Sequence, residues 1–284
     1  MCAPHARASD GGELIMDSAL QRRIQRYGWD RAAAHYEECW SRQLRGAQER
    51  LLAVAALGAG EQVLDVACGT GLVTFAAAAD VGATGMVVGT DISEQMVELA
   101  AQRAPSNVRI MRMDAEKLDF PDARFDVALS SLGLMYVPDT DRAIAEMRRV
   151  IKPGGRVAVA VWGARRQCGW AEIFPIVDAR VKSEVCPLFF RLGTGDALTR
   201  ELEAAGFSNV RLERLAIPLR YDTADEACAA AFIGGPVALA YSRFAADVRE
   251  EVHAEYLDSI APYRDGAGYS VPGEFVVAVT SAPA

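Results

Sequence analysis

Five residues in the first half of the chain have the types and spacing to hold a polar ligand. Asp65, Gly69 and Gly71 lie within the stretch VLDVACGTGLVTFAAAAD, and Asp91 and Asp114 follow in GTDIS and MDAEKLDF. Glycine lets backbone approach a ligand that a Cβ would block, and a helix that starts after such a turn offers free N–H groups. Carboxylates accept hydrogen bonds from hydroxyls and amines. Asp91 stands 20 residues beyond Gly71, the distance at which an acid meets a ribose in strand–turn–helix nucleotide sites. Asp114 closes the next apolar run, where a carboxylate can accept from an exocyclic amine such as that of adenine. Each acid taken alone also fits a solvated strand end. Together with the glycine turn they describe a nucleoside.

The spacing argues against phosphate. A dinucleotide fingerprint, G-x-G-x-x-G, needs a third glycine where this chain has Thr74, and no lysine follows the turn as a P-loop requires. An NAD-type oxidoreductase is therefore disfavoured.

These residues must be carried by a sheet. QVLDVA, MVVGTD, NVRIMRMD, FDVALSS and RVAVAVW read as five strands, and GLVTFAAAAD, SEQMVELAAQRA (Ser93 as N-cap) and TDRAIAEMRRVI as the helices between them. That alternation predicts a parallel sheet with right-handed crossovers. Before it, residues 18 to 57 carry apolar positions at three- and four-residue steps, with breaks expected at Gly28 and Gly46, hence two or three helices. After Trp162, helices are expected at GWAEIFPIVDARVKSEV, GDALTRELEAAG, TADEACAAAFIGG and RFAADVREEVHAEYLDSIA. NVRLERLAIPLRY reads as a sixth strand interrupted or ended by Pro218, and EFVVAVTSA as the closing strand. Residues 1–16 read as a flexible leader and 17–284 as a single domain: a helical cap (17–60), a ligand-binding core (61–162) and a C-terminal part (163–284) that shapes the site.

Composition narrows the partners. The 284 residues are 51% hydrophobic and 24% charged, with a formal charge of −8. No apolar run reaches the roughly 18 residues of a membrane span, and no secretory signal is expected. Lysine occurs only at Lys117, Lys152 and Lys182, and no basic stripe is present, which disfavours nucleic acid and with it RNA methylation. The six cysteines (Cys2, Cys39, Cys68, Cys168, Cys186, Cys228) and His5, His35 and His253 show no metal-ligand spacing, so no metal is expected. Reduced thiols in a cytoplasmic protein are the expectation, and a homodimer stays open.

The ordered series VLDVACGTG, GTDIS, MDAEKLDFPDARFDVALSS and PDTDRAIAEMRRVIKPGGRVAVAVW resembles the class I S-adenosylmethionine-dependent methyltransferases, most of all the ubiquinone/menaquinone-biosynthesis type and its small-molecule relatives. The resemblance covers Gln62 to Trp162, with a weaker match of WDRAAAHYEECW to a helix that closes over the cofactor. It implies a Rossmann-like α/β sheet of seven mostly parallel strands, the last antiparallel, with an N-terminal helical cap and a helical insertion before the last strand. It implies S-adenosyl-L-methionine as cofactor, S-adenosyl-L-homocysteine as product, and a small-molecule acceptor. The loop Ala67, Cys68, Gly69, Thr70 and Gly71 would face the methionine part. Asp91 would hold the ribose, Ile92 the adenine face, and Asp114 and Ala115 the adenine edge. Ser130 and Tyr36 would border the methionine, and Asp65 would order the loop and reach the ammonium through water. Two departures stand out: Ala67 occupies a position where many members carry glycine, and Met135-Tyr136 precede VPD where many carry histidines.

Methyl transfer from a sulfonium is an in-line displacement that needs positioning and, for some acceptors, a base. No motif supplies one. His35, Tyr136 and His253 are the candidates, though both histidines also fit solvated helix faces. Tyr136, Trp162, Phe189, Phe190, Tyr241 and Phe244 are candidates for an apolar acceptor pocket or for plain core. The leading expectation is methyl transfer to a small, largely apolar metabolite such as a quinone precursor, polyketide or terpenoid. A non-catalytic S-adenosylmethionine-binding module and an arsenite methyltransferase using cysteine thiolates are the alternatives.

Overall fold

The computed structural model describes residues 18–181 and 189–283. The expected leader, together with Cys2, His5, Lys182 and Cys186 and the end of the helix expected through Val185, lies outside the described residues.

The chain opens with α1, Ser18–Ala55, a single helix of 38 residues. The breaks expected at Gly28 and Gly46 do not occur. Each glycine costs about 1 kcal/mol of helix propensity, but both lie against packed neighbours. A Cβ on Gly46 would stand 3.0 Å from Ile217 Cδ1, and one on Gly28 would touch Leu239 and Pro236. Tertiary packing overrides the local preference.

Strand and helix then alternate as expected: β1 (Gln62–Val66), α2 (Leu72–Val81), β2 (Met86–Asp91), α3 (Glu94–Ala101), β3 (Val108–Arg112), β4 (Phe125–Ser131), α4 (Thr140–Val150) and β5 (Ile151–Trp162). Ser93 caps α3 by accepting the Met96 N–H at 3.2 Å. Beyond β5 come α5 (Ile173–Asp178), α6 (Ala197–Ala204), β6 (Ser208–Ala216), β7 (Leu219–Tyr221), α7 (Ala224–Phe232), α8 (Ala238–Tyr241), α9 (Ala246–Ser259), β8 (Arg264–Asp265), β9 (Gly268–Val271) and β10 (Glu274–Ser281).

The seven-stranded sheet runs β3-β2-β1-β4-β5-β10-β6. β1 to β5 pair in parallel, and β10 lies antiparallel between β5 and β6. The connections from β1 run outward to β2 and β3 and then return across to β4, so strand order reverses between β1 and β4. Ligands of open α/β sheets sit at the carboxyl ends of the strands flanking such a reversal.

Alternation along each strand feeds two cores. Leu64, Val66, Val157, Val159 and Val161 belong to one face, and Val63, Val127, Leu129, Ala158 and Ala160 to the other. Pro218 ends β6 as expected, but the next residues do something the sequence reading lacked. β7 leaves the main sheet and pairs with β9, which pairs with β8, in a separate three-stranded sheet. These strands are two to four residues long, too short to show a periodic pattern.

Candidate active site

The turn after β1 is held in an unusual backbone conformation. Ala67, Gly69 and Gly71 have φ of 59°, 55° and 94°. Gly71 has no alternative: a Cβ there would lie 2.6 Å from the Phe75 ring. Ala67 adopts the left-handed region without glycine's freedom. Leu132, just past the neighbouring β4, does the same with φ 58°. Such residues persist only where surrounding structure holds them, and they gather at binding sites.

Asp91, the last residue of β2, ties this turn down. Its Oδ2 accepts the Gly69 N–H and its Oδ1 the Ser93 N–H, each at 2.9 Å. Burial pushes its pKa up, and these two N–H groups oppose the rise. Asp65 is fully buried within β1, where Thr74 Oγ1 donates to its Oδ2 at 2.6 Å. Burial, with a smaller push from Asp91, raises the Asp65 pKa to about 7. Its Oδ1 has no hydrogen-bond partner, and neither do the buried hydroxyls of Ser130 and Ser131. Buried polar atoms are normally paired, so this cluster at the carboxyl ends of β1 and β4 calls for a polar ligand group.

Asp65 and Ser131 border a cleft with about 900 Å³ of space not filled by protein, its open mouth included. Of the residues singled out in the sequence, Tyr36, Asp65, Ala67, Cys68, Gly69, Asp91, Ile92, Asp114 and Ala115 line it. Thr70 and Gly71 stand behind the wall, where the Thr70 carbonyl accepts from Arg103 at 2.8 Å. Ser131, not Ser130, is the β4 serine on the wall; Ser130 is buried beneath it. Asp114 lies two residues past the end of β3, paired in a bridge with Lys117, and its Oδ1 accepts the Glu116 N–H at 2.9 Å.

The outer wall is α1, and most of its contribution was missed. Arg22, Gln25, Trp29 and Tyr36 recur at steps of three, four and seven, which places them on one helical face, and all four line the cleft. That spacing was the available signal. The helix is latched over the cleft by polar contacts. Asp30 Oδ1 accepts from Ser93 Oγ at 2.6 Å and from the Gln95 N–H at 3.2 Å. Glu37 pairs with both terminal nitrogens of Arg103, and Arg22 lies 3.7 Å from Asp114 and 3.5 Å from Glu116. The Tyr36 hydroxyl is pushed well above its usual pKa, first by burial and then by Asp91, Glu37 and Asp65, so it stays protonated.

A second, apolar pocket, with about 320 Å³ of space not filled by protein when its open mouth is included, adjoins the first, and the two share Trp29, Tyr36, Leu132 and Tyr136. Trp40, Leu44, Met135, Trp162, Trp170 and Pro236 complete it. Tyr136 meets Trp29 edge-on at 5.0 Å and Phe189 at 5.2 Å. Among the expected pocket aromatics, Tyr136 and Trp162 line this cavity. Phe189 and Phe190 pack behind it on Trp170, and Tyr241 and Phe244 pack together elsewhere.

Neither histidine reaches either cavity. His35 is exposed on the outer face of α1. His253, on α9, shares a 2.9 Å hydrogen bond with the Tyr241 hydroxyl and stacks on that ring, and burial lowers its pKa. Of the three candidate bases only Tyr136 faces the cavities. Among the described residues no group of three His, Cys, Asp or Glu side chains suits a metal ion. Burial pushes the thiols of Cys39 and Cys168 up to about 11, that of Cys228 up to about 12, and that of Cys68 well up, so all four are held as thiols. No helix among the described residues is long and apolar enough to cross a membrane.

Comparison with known proteins gives a consistent result. Residues 63–155 match the family described as a methyltransferase domain. The demethylmenaquinone methyltransferase of Staphylococcus aureus (strain JH9) is 37% identical over 169 residues, covering 54% of this chain and 70% of that protein. Among solved structures, a methyltransferase-like protein from Bacillus halodurans C-125 superposes with a TM-score of 0.60 at 22% identity, covering 84% of this chain and 100% of that one. A phosphoethanolamine N-methyltransferase of Haemonchus contortus, solved with S-adenosylhomocysteine, has a TM-score of 0.60 at 16% identity, over 93% of this chain and 60% of that one. At these identities the two structures show a shared fold.

Proposed function

The chain belongs to the class I S-adenosylmethionine-dependent methyltransferases, and from that premise we propose that it methylates a small, largely apolar metabolite held in the aromatic cavity beside the cofactor cleft. The observation that carries this reading is the cavity wall. Among the described residues that line it, the only ionisable side chains are Tyr36 and Tyr136. A charged acceptor would find no counter-charge there, and burying an unpaired charge is costly.

The cleft suits the cofactor. The spare Asp65 Oδ1 and the Ser131 hydroxyl can receive an ammonium, directly or through water, and the turn Ala67 to Gly71 presents backbone to the methionine part. Asp91 keeps acceptor capacity for ribose hydroxyls beside its two N–H bonds. Ile92 and Met113 flank the place for adenine, with Asp114 and Ala115 at its edge. When bound, S-adenosyl-L-methionine supplies an activated methyl group on a sulfonium, and S-adenosyl-L-homocysteine is left after transfer.

The protein's own work is alignment and exclusion of water. Trp29, Tyr36 and Tyr136 stand where the two cavities meet and constrain the approach of the acceptor. In-line displacement gains its rate from such positioning. Tyr36 holds its proton, so it donates to an acceptor oxygen instead of removing a proton.

The relative from Staphylococcus aureus is named for demethylmenaquinone, which places quinone precursors first in the test panel. Purified protein with S-adenosyl-L-methionine is offered reduced naphthoquinones, hydroxylated aromatics, polyketide-like phenols, and charged acceptors such as phosphoethanolamine and glycine. The expected result is S-adenosyl-L-homocysteine release and a methylated product with an apolar member. Transfer confined to the charged acceptors would overturn the reading.

A further inference from the structure

Gln25 and Gln43 are both buried glutamines of α1, at 7% and 6% exposure, and the fold serves them differently. The Gln43 amide is engaged by backbone. Its Nε2 donates to the Arg220 carbonyl at 2.6 Å, and its Oε1 accepts the Arg220 N–H at 2.8 Å. The Gln25 side chain makes no hydrogen bond with any described residue. A side-chain amide carries two donors and an acceptor, and buried polar groups are normally paired. Gln25 lines the cofactor cleft, and neither of its amide atoms is among the fully occluded unpartnered ones, so the amide stays open to that space. Its missing partner therefore belongs to what the cleft holds.

The register of α1 against the sheet decides which part of the ligand Gln25 meets. Arg22, one turn earlier, reaches Asp114 and Glu116 past the end of β3. Arg26, the next residue, pairs at 3.4 Å with Glu94, two positions beyond Ile92. Asp30 accepts from Ser93 and Gln95. Gln25 thus faces the cleft between the level of Asp114 and that of Ser93, where the adenosine part has its place. The groups at the other end come from later turns of the helix. Trp29 meets Tyr136, and a Cβ on Gly69 would lie 3.8 Å from the Tyr36 ring. The chemistry agrees with the level: adenine edges and ribose hydroxyls offer donors and acceptors together, as an amide does, whereas a carboxylate or an ammonium is better met by a charge.

We propose that Gln25 is a further cofactor-binding residue, whose side-chain amide hydrogen-bonds to the adenosine part of the ligand from the α1 side of the cleft. This rests on the reading of that cleft as the cofactor site. The nucleoside is then held between two walls, the strand ends that carry Asp91 and Asp114 and the helix that carries Gln25.

The test uses the full chain and two ligands, S-adenosyl-L-homocysteine and 5′-methylthioadenosine, which keeps the adenosine and the sulfur but lacks the amino-acid end. Gln25→Met keeps the length of the side chain and removes the amide. By calorimetry it should weaken both ligands by the same factor, about threefold to tenfold, the ratio that one net hydrogen bond provides. The melting temperature of the ligand-free protein should not fall, because no hydrogen bond within the protein is lost. A merely structural role gives the reverse, a lower melting temperature with unchanged affinities, and overturns the proposal. Weaker S-adenosyl-L-homocysteine binding with 5′-methylthioadenosine unchanged moves the contact to the amino-acid end and overturns it as well. If Gln25→Met does not fold, Gln25→Leu is read in the same way. In the wild type, 5′-methylthioadenosine should slow amide hydrogen exchange across residues 18–36, and exchange untouched by it overturns the proposal without any variant. A wild type that binds S-adenosyl-L-homocysteine but not 5′-methylthioadenosine also overturns it and leaves the methyltransferase reading standing. Failure to bind S-adenosyl-L-homocysteine at all would count against that reading instead.

Discussion

Gly69 donates its backbone N–H to Asp91 Oδ2 at 2.9 Å. The glycine turn after β1 and the carboxylate that ends β2 are therefore one unit, in which the group proposed to hold the ribose also holds the loop proposed to hold the methionine part.

Asp91→Ala should disturb both. It removes the acceptor of the Gly69 and Ser93 N–H groups, and hydrogen bonds to a charged group contribute about 1.5–3 kcal/mol each. The expected outcome is a lower melting temperature together with at least a roughly tenfold loss of S-adenosyl-L-homocysteine affinity by calorimetry, since about 1.4 kcal/mol is tenfold. Asp91→Asn, which keeps an acceptor oxygen, should recover part of each. Unchanged affinity in Asp91→Ala would show that the ribose assignment is wrong.

Asp65 makes stability and binding respond to pH in opposite senses. Its pKa is raised to about 7 in the fold, mainly by burial, from the ordinary value of 3.8 in the unfolded chain. Between these values the unfolded state binds fewer protons than the native one, so the ligand-free protein loses stability as pH rises from about 4 to about 7, then levels off. An ammonium beside the carboxylate favours its ionised form, so cofactor affinity should rise across the same window. Asp65→Asn should flatten Asp65's contribution to both profiles. Chemical denaturation and calorimetry at pH 5, 6, 7 and 8 measure them. A variant with the wild-type affinity profile would remove Asp65 from the ammonium site.

Asp30 fastens the N-terminal half of α1 to the start of α3 through Ser93 and Gln95. Asp30→Ala should increase amide hydrogen exchange across residues 18–36 and weaken cofactor binding by about threefold to tenfold, with global melting nearly unchanged, because local opening is separable from global unfolding. A variant with wild-type exchange in this segment would show that Asp30 does not latch the helix.

Ala67 sits at φ 59°, in the left-handed region. That conformation costs an L-residue about 1–2 kcal/mol, while glycine brings an entropic cost of roughly 0.5–1 kcal/mol. Ala67→Gly should therefore stabilise the protein by up to about 1 kcal/mol, read as a small rise in the denaturation midpoint. A clear destabilisation would mean that the Ala67 methyl packs better than its backbone strain costs.

The parts of the site that were legible in the sequence are those set by short-range requirements. The turn needs glycine at Gly71 because Phe75 lies against it, and Asp65, Asp91 and Asp114 fall in register because each follows or lies in a strand of the same parallel sheet. The continuity of α1 was not legible, because Gly28 and Gly46 are weak helix formers and their compensation comes from Leu239, Pro236 and Ile217, far along the chain. The small sheet was hidden in strands too short to show alternation.

What the sequence by itself determined was the cofactor half of the protein: strand, turn, helix and strand-end acid recur within about a hundred residues, and local backbone geometry dictates each choice. Only the tertiary structure decided the aromatic cavity that we propose as the acceptor site. Trp29 and Trp40 share one face of α1 at a spacing of eleven residues, but no spacing rule links them to Trp162 and Trp170; the two pairs meet because α1 crosses the ends of β4 and β5. The same packing leaves His35 facing solvent and sends His253 to Tyr241. Which donors are left buried and unpaired depends on which distant atoms surround them, and that is settled only when the chain has folded.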